Sequence, residues 1–84
     1  MEDTKPIFQE IDKLVGGWCD RRALIALRCI LQGWPMSSPL TDGWIDLHKA
    51  LEEVRAFAAD EITEQELKRV NNLITGVAKV AYRQ

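Results

Sequence analysis

The chain predicts an all-α fold: a compact four-helix domain, packed as an antiparallel bundle or an orthogonal array. Three observations lead there. Apolar residues recur with helical spacing in four separate stretches. No stretch alternates apolar and polar with period two between turn signals, as a half-buried strand requires. The breaks carry Gly, Pro and capping residues, and three Gly-Trp pairs (Gly17-Trp18, Gly33-Trp34 and Gly43-Trp44) fall near the ends of the helical patterns. Gly is the most permissive backbone and Trp the largest apolar side chain, so each pair predicts a corner that anchors a ring in a small core.

The first helix is expected over about 5–18. Thr4 can cap it, and Pro6 sits in the first turn, where its missing N–H costs nothing. Ile7, Phe8, Ile11, Leu14, Val15 and Trp18 share an arc of about 120° at helical spacing, with Gln9, Glu10, Asp12, Lys13, Gly16 and Gly17 opposite. The second helix, about 20–32, takes Asp20 as its N-cap and stops at Gly33, with Pro35 preventing resumption. Leu24, Leu27 and Leu31 lie nearly opposite Ile11 and Leu14 if both stretches are wound as one helix, so a break is expected within 16–20. Ala23, Leu24, Ala26, Leu27, Ile30 and Leu31 supply the core face of this second helix.

Residues 33–41 form the longest connection, with Trp34, Met36 and Leu40 expected to fold down onto the body. The third helix spans about 42–59. Its core stripe is Trp44, Leu47, Leu51, Val54 and Ala58, flanked by Ala50 and Phe57. The fourth, about 63–82, has the strongest local signature. Thr63-Glu64-Gln65-Glu66 is a capping box, and Ile62 and Leu67 occupy the positions of a hydrophobic staple. Leu67, Val70, Leu73, Ile74, Val77 and Ala81 face inward, while Glu64 and Glu66 near the start and Lys79 and Arg83 near the end match the helix dipole.

Composition narrows the function classes. With 84 residues, the chain 1–84 is one domain, and 46% apolar with 29% charged residues is the balance of a globular protein. A net charge of −2 lacks the basic footprint of a nucleic-acid binder. No apolar run approaches the ~20 residues of a membrane span. The opening Met1-Glu2-Asp3-Thr4-Lys5 is unlike a signal peptide, so a cytoplasmic location is expected. Cys19 and Cys29 are too far apart along a helix to bridge, about 14 Å where ~7 Å is the limit, so both are expected free.

No signature of catalysis, cofactor or metal stands out: no glycine-rich phosphate loop, no HExxH, no CxxC and no calcium loop. The lone His48, at the edge of the third stripe, is more simply a boundary residue than a base or a ligand. The adjacent carboxylates Glu52-Glu53 and Asp60-Glu61 diverge by about 100° on a helix and cannot converge on a substrate by themselves. The residues left over are apolar positions off the core stripes. Ile25 and Cys29, four apart, stand opposite the second core face and are bordered by Arg21, Arg22 and Arg28. Ile45 is a similar outlier on the third helix. An apolar centre with an arginine rim has the composition of a protein interface. The expectation is therefore a non-catalytic helical protein that binds a partner protein or itself, as a homodimer, through Arg21, Arg22, Ile25, Arg28, Cys29 and Ile45, with no cofactor, metal, nucleic acid or membrane. The alternative is a small-molecule or cofactor-binding bundle with a cavity lined by Trp18, Trp34, Trp44 and Phe57 near His48.

Overall fold

A computed structural model describes residues 5–35 and 41–82. Among these residues there are four helices: α1 (Lys5–Arg21), α2 (Leu24–Ile30), α3 (Thr41–Phe57) and α4 (Glu64–Ala81). The all-α four-helix domain is what the structure shows. Helix α3 packs against both α2 and α4, and α1 closes against α2 and α4. The core is one continuous cluster drawn from all four helices, centred on Ile11, Trp18, Ile30, Leu47, Leu51, Val54, Val70 and Val77.

The stripe of α1 is the expected one. Ile11, Leu14 and Trp18 are buried, and Ile7, Phe8 and Val15 pack beside them. The break, however, comes later than 16–20. Helix α1 runs straight through Gly16 and Gly17, so Gly17-Trp18 is helix interior and not a corner, and Asp20 lies in the last turn of α1 instead of capping α2. What ends the helix is Arg22, in the left-handed region at φ 57°. Its amide donates to the Cys19 carbonyl at 3.2 Å and the Ala23 amide to the Trp18 carbonyl at 2.9 Å, the paired bonds of a Schellman motif. That position normally takes Gly; an arginine there carries backbone strain.

Helix α2 is consequently shorter than expected, seven residues, and rotated. Its buried members are Ala23 at the cap and Ala26, Cys29 and Ile30 in the helix, with Leu27 half-buried. Leu24 and Leu31, assigned above to the core, are exposed instead. Small side chains face inward because the segment lies close to its neighbours. At its C-terminal end a Cβ on Gly33 would sit 2.5 Å from the Asp46 carbonyl oxygen and 2.9 Å from the Leu47 Cα. Gly33 is there for that close approach to α3; its φ is not positive. Trp34 follows and is half-buried, while Met36 and Leu40 lie outside the described residues.

Helix α3 buries Trp44, Leu47, Ala50, Leu51 and Val54, with Ala58 just beyond its end. It stops at Phe57, two residues short of the expected end, and Phe57 is exposed and not a flank of the core. Helix α4 matches its signature. The Thr63 amide donates to Glu66 Oε1 at 3.0 Å, and the Glu66 amide donates to Thr63 Oγ1 at 3.1 Å. Ile62 is buried and Leu67 half-buried, as the staple requires, and Val70, Leu73, Ile74, Val77 and Ala81 line the core. Arg83 lies outside the described residues.

These three glycines make opposite predictions. A Cβ on Gly16 or Gly17 meets nothing within 4 Å. Gly16→Ala and Gly17→Ala should therefore each stabilise by about 0.5–1 kcal/mol, a rise in Tm of a few degrees by calorimetry. Gly33→Ala should lower Tm, because the obstruction is helix backbone that cannot swing aside. Arg22→Gly relieves the left-handed strain and should stabilise by roughly 0.5–1 kcal/mol, read by urea unfolding.

Candidate interaction surface

The placement of α2 is set by a polar junction at its N-terminal end. Arg21, in the last turn of α1, forms a two-pronged ion pair with Glu66, with Nη1 to Oε2 at 2.7 Å and Nη2 to Oε1 at 2.9 Å. The same Nη2 donates to the Glu61 carbonyl at 3.1 Å. The Glu61 side chain then turns to α2, its Oε1 accepting the Ile25 amide at 2.8 Å and the Ala26 amide at 3.0 Å. No side chain of the α2 N-cap, Ala23, does this. A carboxylate 36 residues away supplies the cap and complements the helix dipole.

Glu66 is held well below the usual carboxylate range, at about 2. The Arg21 hydrogen bonds are the main cause; the Thr63 amide and nearby Trp18 add to it, against the opposing cost of burial. The buried Trp18 Nε1 makes no well-formed hydrogen bond. The Glu66 side chain is 14% exposed and Arg21 42%, so water screens the pair from one side only.

With α2 held at that angle, its outward face is apolar. Leu24 is 66% exposed, Ile25 46% and Leu31 55%, and Phe57 of α3, which lines a cleft with Ile25, is 69% exposed. Leu24, Arg28 and Leu31 stand four and three residues apart, one ridge along the helix. Next to the ridge, Ile25, Arg28, Cys29 and Gln32 of the α2 segment and Glu53 and Phe57 of α3 line a shallow cleft of about 240 Å³. Helices α2 and α3 run antiparallel here, since Gly33 meets Asp46 while Ile25 shares the cleft with Phe57.

The six residues singled out in the sequence are therefore divided. Ile25, Arg28 and Cys29 come together in the cleft, with Cys29 buried and the other two exposed. Arg21 is engaged inside the junction, and exposed Arg22 makes the turn. Ile45 is half-buried against the core, twelve residues and about 18 Å along α3 from Phe57, so it does not share a patch with Ile25. Leu24, Leu31 and Phe57, which helical spacing alone assigns to the core or its flank, are surface residues. Burial pushes the Cys29 thiol up from its ordinary value and Glu53 adds to this, with Arg28 opposing. A thiol shifted in that direction ionises less readily and is a poorer nucleophile. Both cysteines are free, Cys19 exposed and Cys29 buried.

Elsewhere, His48 Nδ1 lies 3.2 Å from Glu52 Oε1 without good hydrogen-bond geometry, and the ring meets Tyr82 edge-on at 5.3 Å. The Phe8 ring contacts both Trp34 and Trp44, each at 5.5 Å between centroids. Trp18 and Trp44 are buried, so these rings pack against protein. Among the described residues, no three His, Cys, Asp or Glu side chains are grouped to hold a metal ion, and no helix is long and apolar enough to cross a membrane.

The depressed Glu66 has a signed consequence. Its ionised form stabilises the fold fully above about pH 4.5, and that contribution is lost as pH falls through the range toward 2. In urea titrations, Glu66→Gln should be less stable than wild type by a constant gap above about pH 5, narrowing as the pH drops below 4.5. A gap independent of pH over that range would show that the junction does not rest on the Glu66 charge.

Compared with known protein families, curated proteins and solved structures, the chain matches none of them.

Proposed function

We propose that this protein is a non-catalytic interaction module that binds a protein partner through the outward face of α2 and the neighbouring Phe57. The observation that carries this is the exposure of four large apolar side chains, each about half exposed or more: Leu24, Ile25 and Leu31 of the α2 segment, and Phe57, which lines a cleft with Ile25. Single exposed leucines are ordinary on a soluble surface. Four on one face of a small chain form a patch of the kind that marks a binding site. Completing their burial would contribute roughly 3–6 kcal/mol, taking about half of the usual 1.5–3 kcal/mol per fully buried side chain. Arg28 rises in the middle of the ridge, and arginine is enriched in interfaces because its stem packs while its guanidinium pairs.

The groups with acid–base or nucleophilic chemistry support a binding role more than a reaction. Cys29 shares its cleft with Glu53 and its thiol is pushed up by burial, whereas His48 projects from α3 on another side, toward Tyr82. A tryptophan-lined ligand cavity has less support, because Phe8 occupies space beside Trp34 and Trp44. Two free thiols and the acidic net charge of −2 favour a reducing, cytoplasmic setting and a partner other than nucleic acid.

Photo-cross-linking in cells tests this. Benzoylphenylalanine at Leu24 or Leu31 should give a discrete protein adduct, and the same group at exposed Lys68 on α4 should not. No adduct from either leucine, or the same adduct from Lys68, would overturn the assignment of this face.

A further inference from the structure

We infer that the partner on this face is a second copy of the chain, docked antiparallel across a two-fold axis so that Arg28 of each copy meets Glu53 of the other. The inference rests on the reading of α2 as the binding face and adds the identity of what covers it. Its basis is the charge pattern of the cleft. Arg28 and Glu53 both line it, and among the described residues neither has an ion-pair partner within the chain. A cleft holding one unpaired cation and one unpaired anion is complementary to itself, and a two-fold axis satisfies both with one operation. An acidic or a basic partner would leave one of the two facing like charge.

The apolar ridge has the same property. Leu24 and Leu31 are seven residues apart and flank Arg28, so in an antiparallel arrangement Leu24 of one copy lies toward Leu31 of the other, and the reverse. The ridge of each copy then runs along the α2–α3 cleft of the other. Ile25 and the protruding Phe57 close over the apolar floor above Cys29.

Sedimentation velocity from ~1 to ~500 µM tests the inference, with circular dichroism to verify that each variant folds. The wild type should approach twice 9.6 kDa with rising concentration. Arg28→Glu and Glu53→Arg should each weaken association about tenfold or more, since each places like charges in contact. An equimolar mixture of the two single variants should dimerise again, because every cross-pair is then of opposite sign. Ile25→Glu should remain monomeric. A wild type that stays monomeric throughout overturns the second copy as partner; the binding-face assignment survives that result if the Leu24 cross-link yields an adduct to another protein. A wild-type dimer unaffected by all three substitutions, or a mixture that fails to recover, places the contact elsewhere and overturns the inference. Insensitivity to Ile25→Glu also removes support for α2 as the binding face.

Discussion

Everything distinctive about this fold depends on one polar junction where α1 ends, α2 begins and α4 starts. Arg21 joins the first helix to Glu66 of the fourth and to the Glu61 carbonyl in the loop between α3 and α4. The Glu61 carboxylate, fixed by that same loop, accepts the Ile25 and Ala26 amides in the first turn of α2. Seven residues are too few to form a helix in isolation, because nucleation fixes several dihedrals before propagation compensates for them. Helix α2 exists because its N-terminus is capped from a distance and its C-terminal end is pressed against α3 at Gly33. Both constraints are tertiary. Glu66 is doubly used, since the oxygen that accepts the Thr63 amide also takes a hydrogen bond from Arg21, so the start of α4 and the end of α1 are locked by one carboxylate.

This way of holding α2 explains its unusual face. A short helix clamped at both ends needs little side-chain burial to stay in place. Ala23, Ala26 and Cys29 are enough on the inner side, because small residues allow the backbone to approach α1 and α3 closely. Ile30 adds the one large fully buried side chain of the segment. The leucines are left outside. Had α2 been held by its leucines, the outward side would carry Ala26 and Cys29 and would offer a partner very little apolar area. Structural economy at the junction and the apolar ridge on the surface are thus two results of one arrangement.

How much of this was legible in the chain follows from the range of each signal. The fourth helix could be read almost completely, since capping box, staple and stripe are all local and all point the same way. The stripe of α3 and that of α1 were equally plain. The rotation of α2 was not, because it depends on where α1 stops. An arginine at φ 57° leaves no mark in the sequence, where Gly16-Gly17 and Asp20 offer a more conventional break. Moving the break by a few residues turns every later side chain, so Leu24 and Leu31 went from core to surface together. The cap from Glu61 was illegible for another reason: nothing local links residues 25 and 61. Phe57 was misplaced through the helix end, since its wheel position assumes continuation toward Asp60 and α3 stops at Phe57 itself.

The three arginines, one cluster in the sequence, separate into three physical roles. Arg21 is bound up with Glu66 and Glu61 and orients α2 from inside the molecule. Arg22 turns the chain, and its contribution lies in its backbone. Of the three, only Arg28 lines the cleft of the proposed binding face. It sits midway between Leu24 and Leu31, on the side of α2 that adjoins Glu53. A cation there forces any covering surface to supply an anion in the centre of an apolar contact, since a buried unpaired guanidinium is costly. That requirement narrows the acceptable partners far more than the leucines do. Under the inference of a second copy, that anion is Glu53 of the other chain, a residue of the same cleft.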